Sequence, residues 1–476
     1  MRKLGLFAFA LGAACLGLPG ACGGGSSSGN PDGAPDGTCG PFCNPFADAA
    51  SEAQACTNLC LKQVSCPPGA DGGPVTTTVS GTVYDPADKV PLYDVAVYVP
   101  NAPLSPLTHG ATCDQCGSTL SGDPLVATLT DAAGHFSLAN VPVDSSVPLV
   151  IQVGKWRRHI TIPSVTACVD NPITDKTQTS LPTKPQELNP DDDIPYIAQT
   201  TGGADALECL LPKIGIDPGQ FVNKGTAGRV NIYQGSGGSA LSGGSPSVTT
   251  FWNDHNNLIA YDMVIMGCEG GTHPENKGNG TDLPQMEIYA NAGGRVFGTH
   301  YHYYWIESQP APSLWPTTAT FDHAQDPPQN NWPVLIDQTF PKGQAFAQWM
   351  LNVAASTTLG TFDIDEGRHD VDAVNGQPPT DPVSTRWVYG TSPSMVEYYT
   401  FNTPIFSGGV PDGGTQCGKV VFSDLHVAAG DTPGGTFPGN CTNQPLTPQE
   451  KALEFLLFDL SSCIQNDSEP PPPPVN

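Results

Sequence analysis

Glycine and proline are the residues that most constrain how this chain can fold. The 476 residues include 53 Gly and 49 Pro, about a fifth of the chain, where ordinary usage is roughly 12%. Because both residues disfavour helix interiors, this content excludes a long helical bundle or a coiled coil. Lys and Arg number 19 against 46 Asp and Glu, and this net charge of -27 excludes a nucleic-acid partner, which needs a basic face. We therefore expect a loop-rich, acidic protein.

Residues 1–21 have the pattern of an export signal. Two cations precede an apolar stretch, Leu4–Leu18, that is too short to span a bilayer comfortably. The segment LPGAC ends at Cys22 and resembles a bacterial lipobox, which implies cleavage and lipidation of Cys22. An ordinary signal peptide cut near Ala21 is the alternative. We expect an outer-membrane or cell-surface lipoprotein, held to the membrane by its lipid anchor only, with a periplasmic or extracellular location as the fallback.

Cysteine usage agrees with export. Five cysteines crowd the segment after the signal: Cys39, Cys43, Cys56, Cys60 and Cys66. In an oxidising compartment such a cluster indicates disulfide bonds that staple a segment too small for its own core, and a zinc site is the alternative. The pair Cys113 and Cys116 lies in a loop, where a structural bridge is favoured over a redox pair. Thirteen of the 15 cysteines remain after signal cleavage and lipidation, so at least one thiol stays free or pairs with another chain.

Short alternating strands dominate residues 76–165. They are rich in β-branched and aromatic residues and are separated by Gly, Pro and Asp turns, which predicts an all-β sandwich. The segments SGTVYDPADKVPLYDVAVYV and TLTDAAGHFSLANVPVDSSVPLVIQVGKW resemble the carboxypeptidase regulatory-like domain. That resemblance implies a prealbumin-like sandwich with an accessory or carbohydrate-binding role. Residues 22–75 are predicted to be a flexible linker and Cys-rich stalk, and residues 166–200 a second linker.

Strands alternate with helices over residues 201–465. Strands are expected at 229–233, 261–266, 295–298 and 419–422, and helices at 204–214, 283–292, 344–355 and 447–462. This alternation predicts a three-layer α/β domain with a mostly parallel sheet of the flavodoxin or amidotransferase type. The Pro-rich stretches 308–333 and 369–395 are expected to line a cleft at the strand ends. A Pro-rich tail covers residues 466–476.

Three segments of this domain resemble class I glutamine amidotransferase-like proteins and their ThuA-like branch. They are AYDMVIMGCEGG, MEIYANAGGRVFGTHYHYYW and GKVVFSDLHV. In the amidotransferases the turn after the second of these strands carries a nucleophilic cysteine. Here that position is His300, so the resemblance implies no glutaminase activity and favours a protein that is not an enzyme. The whole order of segments resembles surface lipoproteins of myxobacteria.

His300, His302 and His426 are the main candidates for catalysis or metal binding. His300 and His302 point the same way if their strand continues, and His426 follows another strand end, where open α/β sheets bind ligands. With Glu269 or Asp424 these imidazoles could hold a divalent metal. An aromatic cluster packed under a loop is the alternative.

Cys268 and Glu269 are further catalytic candidates, because they follow a buried strand in a Gly-rich loop whose N–H groups could form an oxyanion hole. A buried or disulfide-bonded cysteine is the alternative at Cys268. Residues 363–372 are rich in Asp and Glu, which indicates either a calcium loop or a solvated acidic loop.

Two functions follow from these patterns. The first is an exported, lipid-anchored envelope protein that binds a glycan or another small-molecule ligand. The alternative is a hydrolase that acts on a sugar or amide through a His-rich cleft, with a divalent metal as its possible cofactor.

Overall fold

Two small sheets form the N-terminal part of the folded chain. The computed structural model describes residues 56–323, 330–375, 384–408, 410, 414–426 and 431–474. The first seven strands are β1 (Thr78–Thr82), β2 (Ala96–Pro100), β3 (Pro124–Leu129), β4 (His135–Ala139), β5 (Val147–Val153), β6 (Trp156–Ile162) and β7 (Asp170–Pro172). They pair in the orders β4-β1-β7 and β3-β2-β5-β6.

Alternation along β4 shows how one of these sheets buries a single face. In β4 the side chains of Phe136 and Leu138 are buried while their neighbours are exposed, the period of a strand with one wet face. Buried residues of both sheets, such as Val79 and Val97, belong to one apolar cluster. The predicted β-rich N-terminal region is therefore present, and its prealbumin-like topology stays a prediction.

A ten-stranded mixed sheet forms the C-terminal part. Its strand order is β16-β15-β18-β19-β20-β13-β12-β8-β10-β9, and two small ribbons pair β11 with β21 and β14 with β17. The bounds are β8 (Ile197–Thr201), β9 (Phe221–Val222), β10 (Val230–Gln234), β11 (Ala240–Leu241), β12 (Met263–Met266), β13 (Arg295–Thr299), β14 (Ala319–Phe321), β15 (Trp332–Ile336), β16 (Thr361–Ile364), β17 (Val371–Val374), β18 (Thr385–Thr391), β19 (Ser394–Thr403), β20 (Gly418–Ser423) and β21 (Thr436–Phe437).

The prediction of a mostly parallel sheet holds for six of the ten strands and is wrong for the other four. The six adjacent strands β9, β10, β8, β12, β13 and β20 pair in parallel. The sheet continues from β20 through β19, β18, β15 and β16 in antiparallel pairs. The stretches 308–333 and 369–395 contain or border these extra strands. Their prolines indicate loops, yet Pro333 lies within β15, and Pro393 lies in the turn between β18 and β19, a position that proline tolerates.

Seven α-helices accompany the strands in the described part of the chain. They are α1 (Lys176–Thr179), α2 (Leu210–Lys213), α3 (His255–Leu258), α4 (Leu283–Asn291), α5 (Tyr304–Glu307), α6 (Pro341–Asn352) and α7 (Pro448–Ser461). The predicted helix over 204–214 is instead a 3-10 turn followed by the four-residue α2. No helix among the described residues is both long enough and apolar enough to cross a membrane.

Helix α7 joins the two parts of the fold. A capping box starts the helix, because Thr447 accepts the N–H of Glu450 and the Glu450 carboxylate accepts the N–H of Thr447. Phe455 stacks on Tyr93 at 5.8 Å, and Phe458 packs on Trp156 at 5.6 Å. Through these contacts one apolar cluster runs from the small sheets into the large one.

Five disulfide bonds fasten the described residues. They are Cys56–Cys60, Cys66–Cys168, Cys113–Cys417, Cys116–Cys463 and Cys209–Cys441. Disulfide bonds were predicted for this chain and are present, but Cys113 and Cys116 each bond to a distant partner, and Cys66 reaches outside the predicted stalk. The predicted signal peptide, Cys22, Cys39 and Cys43 lie outside the described residues.

Candidate functional site

Three neighbouring parallel strands bring the candidate residues to one edge of the large sheet. Met266 of β12 pairs with Gly298 of β13, and Thr299 pairs with Ser423 of β20, so the three strands end level. Their carboxyl ends therefore form a common edge, the usual ligand position of open α/β sheets. Cys268, His300 and His426 follow these three strands.

The side chains of Cys268, His300 and His426 form one buried cluster. Nδ1 of His300 lies 3.0 Å from Nε2 of His426 and 3.5 Å from the sulfur of Cys268. The three ligand atoms all lie within 4.8 Å of one another. His300 and His426 are 7% and 5% exposed, and Cys268 is fully buried. We call these three residues the strand-end centre.

The backbone holds the strand-end centre in place. The hydroxyl of Thr299 accepts the N–H of Cys268 at 3.0 Å and donates to Asp205 at 3.0 Å. His300 has a φ of 44°, a left-handed conformation that a side chain with a Cβ rarely adopts. Such strain persists where surrounding contacts enforce it and is frequent at functional sites.

Two carboxylates contact the outer ring nitrogens of the imidazoles. Nε2 of His300 lies 3.2 Å from Asp370, and Nδ1 of His426 lies 3.2 Å from Glu366. Both acids come from the segment between β16 and β17, which the sequence indicates only as a calcium or solvated loop. Glu366 is 54% exposed along its side chain, so the strand-end centre approaches solvent on this side.

Burial and charge set opposite protonation states for the two imidazoles. Burial, with the charge of His426 next to it, lowers the pKa of His300 to about 2. Burial also acts to lower the pKa of His426, but its hydrogen bonds with Cys268 and Glu366 outweigh burial and raise this pKa to about 10. One ring is therefore neutral and the other charged at neutral pH in the protein as described.

Buried acids continue behind the strand-end centre. Asp424 accepts the N–H of Asp370 at 2.7 Å. A carboxylate oxygen of Asp424, one of Asp370 and a ring nitrogen of His300 lie within 4.8 Å of one another. Burial raises the pKa of Asp370 and raises those of Asp424 and Glu397 well above the usual range. These acids hold protons more tightly than exposed ones, because a charge is costly to bury.

The structure places His302 outside the strand-end centre. The expectation that His302 points with His300 requires a continued strand, but β13 ends at Thr299 and residues 300–303 form a 3-10 turn. Nε2 of His302 contacts the carbonyl of Gly267 at 2.9 Å, and its ring packs on Trp252. Burial and the charge of Lys277 lower its pKa to about 4. His302 therefore supports the fold around the strand end.

Glu269 also turns away from the strand-end centre. Its carboxylate forms an ion pair with Lys277 at 2.7 Å and accepts from the N–H of Ser236 and the amide of Asn276. Both charged side chains are essentially unexposed. The Glu269 carboxylate is thus held in a buried ion pair, and its catalytic or metal-ligand role stays a prediction.

Cys268 is free, and it is the one free cysteine among the described residues. The N–H of Gly270 points at its sulfur at 3.4 Å. Cys268 is therefore a buried free thiol and not a disulfide, which were the two alternatives for this residue. The N–H of Gly270 points at the sulfur itself, and an oxyanion hole in this loop stays a prediction.

Comparisons with known proteins give weak similarities. No family model and no curated protein matches this chain. A ThuA-like protein from Bacteroides uniformis is 12% identical, with 56% of this chain and 88% of that chain covered and a TM-score of 0.29. A cohesin–X-dockerin complex from Acetivibrio cellulolyticus is 17% identical, covers 32% and 78%, and has a TM-score of 0.15. At these TM-scores neither similarity carries an argument about function.

Proposed function

We propose that this protein is an exported hydrolase that acts on a sugar or amide substrate at the strand-end centre. The sequence favours non-catalytic ligand binding and puts hydrolysis second. The observation that reverses this order is the convergence of a free thiol and two imidazoles at the end of three parallel strands, where Nδ1 of His300 lies 3.5 Å from the thiol and 3.0 Å from His426.

The chemistry of the strand-end centre fits hydrolysis. A charged imidazole such as His426 can stabilise an adjacent sulfur nucleophile and can donate its proton to the leaving group. Attack breaks the amide C–N bond or the glycosidic C–O bond, and water supplies the hydroxyl group and the proton that complete the two products. A buried site also strengthens the electrostatic interactions that stabilise developing charge.

A panel of chromogenic substrates tests this proposal. Purified full-length protein is assayed with p-nitrophenyl glycosides and p-nitroanilides, alongside the variants Cys268→Ala and His300→Ala and the control His273→Gln. His273 is a solvent-accessible imidazole paired with Glu275. We expect hydrolysis by the wild type and the control, and a loss of at least about 100-fold in the two site variants. Silence of the wild type toward both substrate classes, or equal rates in all variants, would contradict the proposal.

Binding of a glycan or small molecule at the same edge follows from this proposal, because a hydrolase must first hold its substrate. The exposed side of Glu366 is where such a ligand reaches the strand-end centre. Nucleic acid stays excluded on the grounds of net charge.

Export and lipid anchoring belong to the same proposal. Five disulfide bonds among the described residues are consistent with an exported protein. The anchor itself rests on the resemblance of the segment before Cys22 to a lipobox. Mass spectrometry of the membrane fraction tests it: a lipid-modified N-terminal Cys22 supports the anchor, and an unmodified Cys22 or another mature N-terminus contradicts it.

A further inference from the structure

We propose that the strand-end centre is a binding site for a divalent transition metal of the zinc type, with Cys268, His300 and His426 as its three protein ligands. This inference deepens the proposed hydrolase and rests on it for its catalytic meaning. The two are tested separately below.

The distances between the ligand atoms suit a tetrahedral ion. With Zn–S near 2.3 Å and Zn–N near 2.0–2.1 Å, the edges of a tetrahedron are about 3.5 Å from sulfur to nitrogen and about 3.3 Å between nitrogens. The corresponding distances are 3.5 Å from Cys268 to His300 and 3.0 Å between His300 and His426. Small shifts of the rings would complete such a coordination sphere.

Two carboxylates lie at the outer nitrogens of the imidazoles. Glu366 forms a hydrogen bond with Nδ1 of His426 at 3.2 Å, and Asp370 lies 3.2 Å from Nε2 of His300. Without a metal, a proton of His426 can join the two inner nitrogens, which are 3.0 Å apart next to the sulfur. A cation bound by both rings would take the place of that proton, because metal binding releases protons from the ligands. A carboxylate at the outer nitrogen of a metal-bound imidazole is a common arrangement.

The loop around the sulfur agrees with a bound cation. Gly270 directs its N–H at the sulfur of Cys268 at 3.4 Å. A sulfur that ligates a metal can accept a hydrogen bond of this kind from outside the coordination sphere. A thiolate with two imidazoles selects zinc and related ions over magnesium or calcium, which prefer oxygen ligands.

A second arrangement around His300 is less suited to a metal. Carboxylate oxygens of Asp370 and Asp424 lie within 4.8 Å of a ring nitrogen of His300 and of each other. However, its donors are two carboxylates and one imidazole, which suit zinc less than a thiolate with two imidazoles does. Asp370 also keeps its 3.2 Å contact with the outer nitrogen of His300. We therefore assign Asp370 to orienting His300.

Three protein ligands leave one position of a tetrahedral ion for water or substrate, which is the arrangement of catalytic zinc sites. A zinc ion held by Cys268, His300 and His426 would supply Lewis-acid activation of water for hydrolysis. In this form water is the nucleophile, and Cys268 serves as a ligand.

Metal content and cobalt spectroscopy test the inference. Untagged full-length protein is dialysed against zinc, and bound metal is measured by mass spectrometry. Cobalt(II) then replaces zinc, because a cysteine ligand produces a sulfur-to-cobalt charge-transfer band. We expect one equivalent of metal per chain, the band in wild-type protein, and loss of the band in Cys268→Ser with circular dichroism unchanged.

Milder variants guard against misfolding of the ligand variants. Asp370→Asn and Glu366→Gln remove charges that orient the imidazoles, and we expect each to weaken cobalt affinity by about 10–100-fold. Glu307→Gln is the matched control, since Glu307 pairs with His323 rather than with a proposed ligand. We expect its cobalt affinity to equal that of the wild type.

The outcomes separate the inference from the proposed hydrolase. Less than half an equivalent of metal, or a charge-transfer band that persists in Cys268→Ser, overturns the metal site. If hydrolysis nevertheless occurs and is lost in Cys268→Ala, the hydrolase stands with the thiol as its nucleophile. One equivalent of metal without hydrolysis of any substrate class supports the site and counts against the hydrolase.

Discussion

His300 and His426 lie 126 positions apart in the chain, yet Nδ1 of one is 3.0 Å from Nε2 of the other. The contact exists because β13 and β20 are adjacent parallel strands that end level. A proton gained or lost by one imidazole, or a ligand bound by it, changes the environment of the other imidazole. The two rings therefore act as one unit.

The first prediction is that the losses of kcat caused by replacing these two histidines are not additive. His300→Ala and His426→Ala should each lower kcat for the identified substrate by about 10²–10⁴-fold. The double variant should lose little more than the worse single variant, because groups that act as a unit cannot be lost twice. Steady-state kinetics of the three variants checks this, and losses that multiply would show that the rings act independently.

The second prediction concerns the ion pair between Glu269 and Lys277. Lys277→Met should lower the free energy of unfolding by about 3–5 kcal/mol, because it leaves the Glu269 carboxylate buried without its cation. Urea denaturation measures the change. Lys224→Met is the control, since Lys224 is exposed and should change stability by no more than about 0.5 kcal/mol. Similar small effects in both variants would contradict a structural role for the pair.

The third prediction is a pH-dependent contact at the opposite end of β12. Nδ1 of His109 contacts Asp262 at 2.7 Å, and its Nε2 contacts Asp193 at 2.9 Å. Burial acts to lower the pKa of His109, but the two carboxylates outweigh burial and raise it above its usual 6.5. Arg229 also pairs with Asp193, at 2.6 Å, and Tyr196 packs edge-on against the His109 ring.

The sign of the effect follows from the raised pKa. The charged imidazole stabilises the fold fully below pH 6.5, and this contribution is lost as pH rises through the pKa of the folded state. The stability advantage of the wild type over His109→Gln should therefore be larger at about pH 5.5 than at about pH 8.5. Chemical denaturation at both values measures it, and an advantage that grows with pH would contradict the assignment.

The fourth prediction concerns the two disulfide bonds that tie the loop at Cys113 and Cys116 to the large sheet. With Cys113–Cys417 intact, Cys116–Cys463 closes a loop of only about 50 residues, although the two cysteines are 347 positions apart. Replacing this second pair with alanine should cost about 4 kcal/mol by loop entropy.

The Cys56–Cys60 pair provides the comparison, because its sequence separation is 4. Its removal should cost about 2 kcal/mol on the same basis. Thermal denaturation of the two paired variants gives the ratio. An equal cost for both pairs would show that loop closure does not determine the contribution of these bonds.

The sequence predicts the strand ends of the candidate site because they are local features. Residues 261–266, 295–298 and 419–422 are short apolar runs next to glycine or polar residues, and they correspond to β12, β13 and β20. Buried parallel strands read as such runs. Cys268, His300 and His426 could therefore be placed at strand ends without the structure.

The remaining parts of the site depend on contacts between distant segments. Glu366 and His426 are 60 positions apart, and no local pattern pairs them. The misplacement of His302 has a local cause instead, because the left-handed turn at His300 ends the strand that was expected to continue. The sequence does not predict the antiparallel strands β15, β16, β18 and β19, because the prolines in and next to them indicate loops.

X-ray absorption at the zinc edge of the metal-loaded full-length protein tests the central claim most directly. We predict one sulfur ligand near 2.3 Å and two imidazole nitrogens near 2.0–2.1 Å, with the sulfur contribution absent in Cys268→Ser. A spectrum with nitrogen and oxygen ligands alone in the wild type would contradict the strand-end centre as a metal site.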